Sequence, residues 1–164
     1  MSKTFFILLL SCGFQFGIAQ EIPAWQATDM ANYIGDKKGA KVKVINMWAT
    51  FCKPCIEEIP GFIDEVKKFG NDVELMLISV DLKSHYPSKI SNFAKSHHFN
   101  APIVWLNETN ADYFCPMLDK SWSGSIPATL IVNPSTGYRK FFEEEMSSEQ
   151  LAKEIESALS GIGR

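Results

Sequence analysis

The spacing of apolar positions changes several times along the chain, and each change marks an element. Val42-Lys43-Val44-Ile45-Asn46-Met47-Trp48 is an almost unbroken β-branched and apolar run, the pattern of a buried strand. Directly after it, Ile56, Ile59, Phe62, Ile63, Val66 and Phe69 recur three or four residues apart, which predicts an amphipathic helix from Lys53 to about Phe69. Pro60 falls inside that helix and is expected to kink it, because its ring removes a donor and crowds the carbonyl of Ile56. Gly70-Asn71 closes the helix, and Val73 to Val80 reads as a second buried strand.

The flanking regions are read in the same way. Thr28 to Ile34 suits a short helix with Thr28 or Asp29 as its N-cap. Ser88 to His97 can form another helix, with Ile90, Phe93 and Ala94 inward, and Pro102 to Leu106 is a short strand. Asn110 to Leu118 is a helical turn. Ala128 to Val132 and Tyr138 to Phe142 are strands joined by the turn Asn133-Pro134-Ser135-Thr136-Gly137, a hairpin. Ser147-Ser148-Glu149-Gln150 is a capping box, after which Leu151, Ile155 and Leu159 make one apolar stripe and Gly161 ends the helix. Strand and helix alternate first and a hairpin follows. This order predicts an α/β fold with a mixed central sheet and helices on both faces.

The N-terminus stands apart. A basic start, Met1-Ser2-Lys3, leads into an apolar run from Phe5 to Leu10 and ends on Gly17-Ile18-Ala19, the layout of a secretory signal peptide over residues 1–19. One globular domain then occupies residues 20–164. Leu9-Leu10-Ser11-Cys12 also resembles a lipobox, which would lipidate Cys12, but the apolar run before it is short and continues past it. The strongly apolar run is well below the ~20 residues that span a bilayer.

Composition narrows the function. The chain has 164 residues, enough for one core of good size. Apolar residues make up 46% and charged residues 21%, so neither a disordered chain nor a coiled coil is indicated. The formal charge of −3 leaves no basic excess to neutralise phosphates, which argues against nucleic acid as a partner.

Four cysteines remain: Cys12, Cys52, Cys55 and Cys115. Cys52-Lys53-Pro54-Cys55 is a CxxC at the start of a helix, directly after a buried strand. The unpaired N–H groups and positive end of the helix dipole stabilise a thiolate on Cys52, and Lys53 adds a cation. Pro54 is tolerated in the first turn. Cys55 lies one turn deeper, so Cys52 is read as the attacking thiolate and Cys55 as the thiol that resolves the mixed disulfide. A static disulfide is the plain alternative in an oxidising compartment. A metal site lacks its second ligand pair, since neither His85 nor His97-His98 keeps metal-ligand spacing.

The run Val44-Ile45-Asn46-Met47-Trp48-Ala49-Thr50-Phe51-Cys52-Lys53-Pro54-Cys55, with Glu58 and Pro60 three and five residues after the second cysteine, resembles the thioredoxin-like thiol–disulfide oxidoreductases of the TlpA/ResA type. Ser125-Ile126-Pro127-Ala128-Thr129 is similar to that family's cis-proline loop, and Val73 to Asp81 with the following Ser84-to-Leu106 insertion also fits. The likeness covers residues 22 to 160.

The resemblance implies a thioredoxin-like fold with the central insertion of that type. It implies a cis Pro127 whose loop faces Cys52, with the backbone of Ile126 pairing with an extended substrate strand. It implies a periplasmic reductase acting on protein disulfides, serving either apocytochrome, and so cytochrome c maturation, or other substrate cysteines. A membrane thiol donor would supply the electrons, and the exchange needs no cofactor. Glu58 sits one turn beyond Cys55, where a carboxylate with a raised pKa can take the thiol's proton. The alternative for Glu58 is a solvated surface acid. Asn46 stands where thioredoxin has a buried Asp, which strengthens the reading of Glu58. Trp48 and Phe51 form an apolar lip for substrate or belong to the core, and Trp122 leaves the same choice open. Cys115 is a buried inert thiol or a second resolving one. The expected state is a monomer. Two other functions stay open: a thioredoxin-fold peroxidase, although Thr50 is two residues before Cys52 where three are needed, and a non-enzymatic metal- or protein-binding module.

Overall fold

The computed structural model describes residues 22–39 and 41–161. The signal-peptide segment and Cys12 lie outside the described residues. The elements are β1 (Ala24–Trp25), α1 (Ala27–Gly35), β2 (Val42–Trp48), α2 (Lys53–Lys68), β3 (Val73–Ser79), α3 (Ser88–Ser96), β4 (Ile103–Leu106), α4 (Ala111–Leu118), β5 (Ala128–Asn133), β6 (Tyr138–Phe142) and α5 (Ser148–Ser160). They build a six-stranded sheet in the order β1-β4-β3-β2-β5-β6. Strands β1 to β4 are mutually parallel, β5 runs antiparallel to β2, and β6 runs antiparallel to β5. The mixed sheet expected from the element order is therefore observed.

Strand β2 is central and buried along its whole length, as its continuous apolar run requires. Its one lysine explains itself. Lys43 Nζ donates to the carbonyls of Tyr33 and Asp36 at the C-terminal end of α1, where the helix dipole favours a cation. Two cores lie on opposite faces of the sheet. One joins α2, α3 and α5 through Ile59, Phe62, Ile90, Leu151 and Ile155. The other joins α1 and α4 through Met30, Ile34, Cys115 and Leu118.

Several local expectations are corrected. The N-cap of α1 is Gln26, whose N–H donates to Asp29 at 2.8 Å, so Asp29 serves from the third helical position rather than as the cap. β1 is a two-residue strand without a readable period, held by pairing with β4 and by the packing of Trp25 against Tyr33. The turn at Asn110 extends into a full short helix, α4, that carries Pro116. At α5, Ser147 accepts from Gln150 N–H at 3.2 Å, but Leu159 is 40% exposed and Ala158 completes the buried face instead. Helix α2 continues through Pro60, which lies on the solvent face, where water can reach the carbonyl it frees.

Candidate active site

The strand-to-helix junction after β2 places the two cysteines. Cys52 has extended backbone geometry and is the N-cap of α2. Its carbonyl accepts the first helical bond from Ile56 N–H at 3.1 Å, and its Sγ faces Cys55 N–H at 3.4 Å. Pro54 occupies the first turn, as expected. Cys52 and Cys55 form a disulfide. Cys55 is wholly buried, while Cys52 keeps 7% of its surface open. Lys53 is highly exposed and its ammonium leans 3.5 Å from Glu57, so its charge is shared with that acid.

Beneath the disulfide, Glu58 is buried inside the fold rather than solvated. One carboxylate oxygen accepts from Asn46 Nδ2 at 2.8 Å, and the other accepts from the backbone N–H of Met146 at 2.9 Å. Asn46 also donates to Thr129 Oγ1 on β5 at 3.0 Å. Burial raises the Glu58 pKa, the bonds from Met146 and Asn46 oppose it, and the charge of Glu145 adds to it, leaving the group at about 7. A carboxyl poised there changes charge near neutrality, which suits proton transfer.

The loop between β2 and α2 is held from the segment just after β3. Asp81 is buried and accepts from Thr50 N–H at 3.0 Å, from the Thr50 hydroxyl at 2.6 Å and from Ser79 at 2.8 Å. His85 Nδ1 lies 2.9 Å from the same carboxylate. None of Asp81, Ser79 and His85 follows from the CxxC spacing. The one signal for them is Ser-Val-Asp at the end of a buried strand, where an acid needs partners to stay buried.

The register of β2 with β5 pairs Met47 with Ala128, so Pro127 enters its strand beside Trp48, at the sheet end that carries the cysteines. The Ile126–Pro127 peptide bond is cis. Ile126 packs against the core cluster that contains Cys52 and Cys55. A second cis bond, Tyr86–Pro87, precedes α3 and had no sequence signal.

The aromatic residues separate. Trp48 is wholly buried and packs edge-on against Phe99, which makes it a core residue and not a lip. Its indole N–H and Asn46 Oδ1 have no hydrogen-bond partner among the described residues. Phe51 is 64% exposed beside the disulfide. Trp122 is buried and donates to the carbonyl of Ser125 at 2.8 Å, bracing the turn before Pro127. Cys115 is buried on α4, outside the Cys52–Cys55 pair. Burial and the charges of Glu143 and Asp112 push its thiol pKa up, which favours the protonated, inert form. Arg139 is engaged by Asp119 and the carbonyl of Leu118.

Known proteins are similar to this chain in sequence and fold. The thiol–disulfide oxidoreductase ResA of Bacillus subtilis (strain 168) is 27% identical over 150 residues, which cover 80% of this chain and 78% of ResA. A thioredoxin-related protein of Neisseria meningitidis serogroup B has a solved structure that superposes with a TM-score of 0.64 at 28% identity, covering 74% of this chain and 87% of that one. A thiol:disulfide interchange protein of Chlorobium tepidum TLS shares the fold with a TM-score of 0.60 at 20% identity, over 74% of this chain and 81% of that one. The AhpC/TSA family model matches residues 18–137. With most of its length inside that match, the chain belongs to the AhpC/TSA family, as a thioredoxin-like thiol–disulfide oxidoreductase of the TlpA/ResA type.

Proposed function

We propose that the protein reduces disulfides of other proteins outside the cytoplasm, through a mixed disulfide at Cys52. The observation that carries the reading is the Cys52–Cys55 pair at the start of α2, with the more accessible sulfur at the N-cap and a buried acid one turn beyond the deeper one.

In the dithiol form, the Cys52 thiolate attacks one sulfur of a substrate disulfide. A Cys52–substrate disulfide forms, and the other substrate sulfur leaves as a thiolate. Glu58 takes the proton of Cys55 as that sulfur attacks Cys52 Sγ. The Cys52–Cys55 disulfide forms, the second substrate sulfur departs, and the substrate has gained two electrons. A membrane thiol donor then returns two electrons to the pair, passing through a mixed disulfide in the same way. The helix N-terminus favours the thiolate form of Cys52 at both stages.

Substrate contact falls to Phe51, which offers exposed apolar area, and to the backbone of Ile126, which can add a short strand pairing. Export follows from the signal-peptide reading of residues 1–19, and among the described residues no helix is long and apolar enough to cross a membrane. Service to the cysteines of apocytochrome c rests on the family resemblance.

The test is insulin reduction driven by a chemical dithiol, together with the reduction potential of the Cys52–Cys55 pair. A strongly reducing potential and loss of turnover in Cys52→Ser are expected. A potential near those of oxidising exchangers, about −120 mV, would assign the opposite direction. Peroxide consumption by the wild type that exceeds the Cys52→Ser background would move the protein to the peroxidase reading.

A further inference from the structure

We propose that residues 143–146 act as a strap that couples the substrate-facing turn before Pro127 to the Glu58 carboxyl group, with Glu143 as its positioning residue. The inference rests on the roles given above to Ile126 and Glu58.

The strap is the short connection between β6 and α5, and both of its ends are tied to the site. At one end, the Glu143 carboxylate accepts from Ser123 N–H at 3.0 and 3.1 Å, from Ser125 N–H at 2.9 Å and from the Ser123 hydroxyl. Those donors belong to the turn that delivers Ile126 and Pro127. Trp122 closes the same turn from below through the Ser125 carbonyl. At the other end, Met146 is only 2% exposed, its side chain lies in the core beside α2 and α5, and its N–H donates to Glu58 Oε2 at 2.9 Å.

Only Glu144 and Glu145 separate the two anchors. Two residues supply at most about 3.5 Å of reach each, so the strap has little slack. A substrate strand pairing at Ile126 presses on the turn that Glu143 clasps. Holding the clasp keeps the Met146 N–H on Glu58 and favours its carboxylate, the form that accepts a proton. Releasing the clasp lets that donor drift and favours the neutral acid. Docking of an extended protein segment and the proton affinity of the base are thereby linked.

The groups around each end are few. Glu58 lies one turn after Cys55 among the buried residues of α2, is bonded by the non-titrating Asn46 of β2, itself tied to Thr129 of β5, and meets Met146 N–H and the charge of Glu145 from the strap. Glu143 is faced by the serines and by the Cys115 thiol. The sign of the effect separates two explanations. Deleting a negative charge lowers the pKa of a neighbouring carboxyl or leaves it alone. Losing an N–H donor raises it.

The decisive measurement is a carbon-13 NMR titration of the Glu58 carboxyl in the oxidised protein, where Cys55 does not titrate. Glu143→Ala is expected to move the Glu58 midpoint up by about half a pH unit and to raise KM for insulin in the disulfide-reduction assay several-fold. Glu144→Ala, on the same strap but without a bond to the turn, is expected to move neither. Glu143→Gln keeps an acceptor oxygen and is expected to restore both values toward wild type. An unchanged or lowered midpoint in Glu143→Ala overturns the coupling, even if KM rises. The titration reads the strap without relying on turnover. A wild-type Glu58 that titrates as described, while Glu58→Gln leaves turnover unchanged, would remove the base role and leave the strap standing.

Discussion

Thr50 gives both its backbone N–H and its hydroxyl to Asp81, at 3.0 and 2.6 Å, and so fixes the loop that leads into Cys52 from the neighbouring strand. Asp81 is almost fully buried, and its carboxylate also meets Ser79 and His85. Asp81→Ala would leave the Thr50 N–H without its acceptor. Each buried donor stranded in this way costs about 1–3 kcal/mol. The expected loss is about 2–4 kcal/mol, read as a lower urea midpoint of the oxidised protein. A midpoint within error of wild type would show that the loop does not need this anchor.

Glu58 should make stability depend on pH. Its folded pKa is about 7, above the 4.5 of an ordinary glutamate, so between these values the native state binds more protons than the unfolded one. Stability from this group is full below about 4.5 and is lost as pH rises through about 7. The swing is on the order of 3 kcal/mol. Denaturant titrations of the wild type and Glu58→Gln at pH 5 and pH 8 should show the wild type losing ground at the higher pH, and the variant holding level.

The same acid should shape the rate. In the proposed reaction the carboxylate accepts the Cys55 proton, so wild-type exchange should rise with pH through a midpoint near 7. Glu58→Gln should remove that limb and slow the resolving step by on the order of 10²-fold. Stopped-flow decay of a preformed mixed disulfide at Cys52 reads this step alone. Equal decay rates in the two proteins would rule out the proton transfer.

Phe51 exposes 64% of its surface, so its packing contributes little to the fold. Phe51→Ala should leave stability within about 0.5 kcal/mol. It should still raise KM for a protein disulfide several-fold while sparing a small disulfide such as oxidised glutathione. Equal effects on both substrates would assign Phe51 to the chemistry of Cys52 instead of to recognition.

Local periodicity determined much of this protein. The continuous apolar run of β2 and the three-four spacing of α2 fixed the junction where the cysteines sit, because period and burial are encoded residue by residue. Helix position alone ranked Cys52 above Cys55 as the open sulfur, and the order of elements implied a mixed sheet. Matters that depend on distant partners were decided only in three dimensions. Trp48 entered the core because α3 and the segment at Phe99 close over it, and Leu159 was left exposed because Ala158 turns inward at the last contact of α5. Burial in the fold raised the Glu58 pKa, while the donors that converge on it, Met146 N–H from 88 residues away and Asn46 on the adjoining strand, hold it near 7. A pKa is set by solvent exclusion and by the donors that converge on a group, and that convergence exists only once the chain has folded.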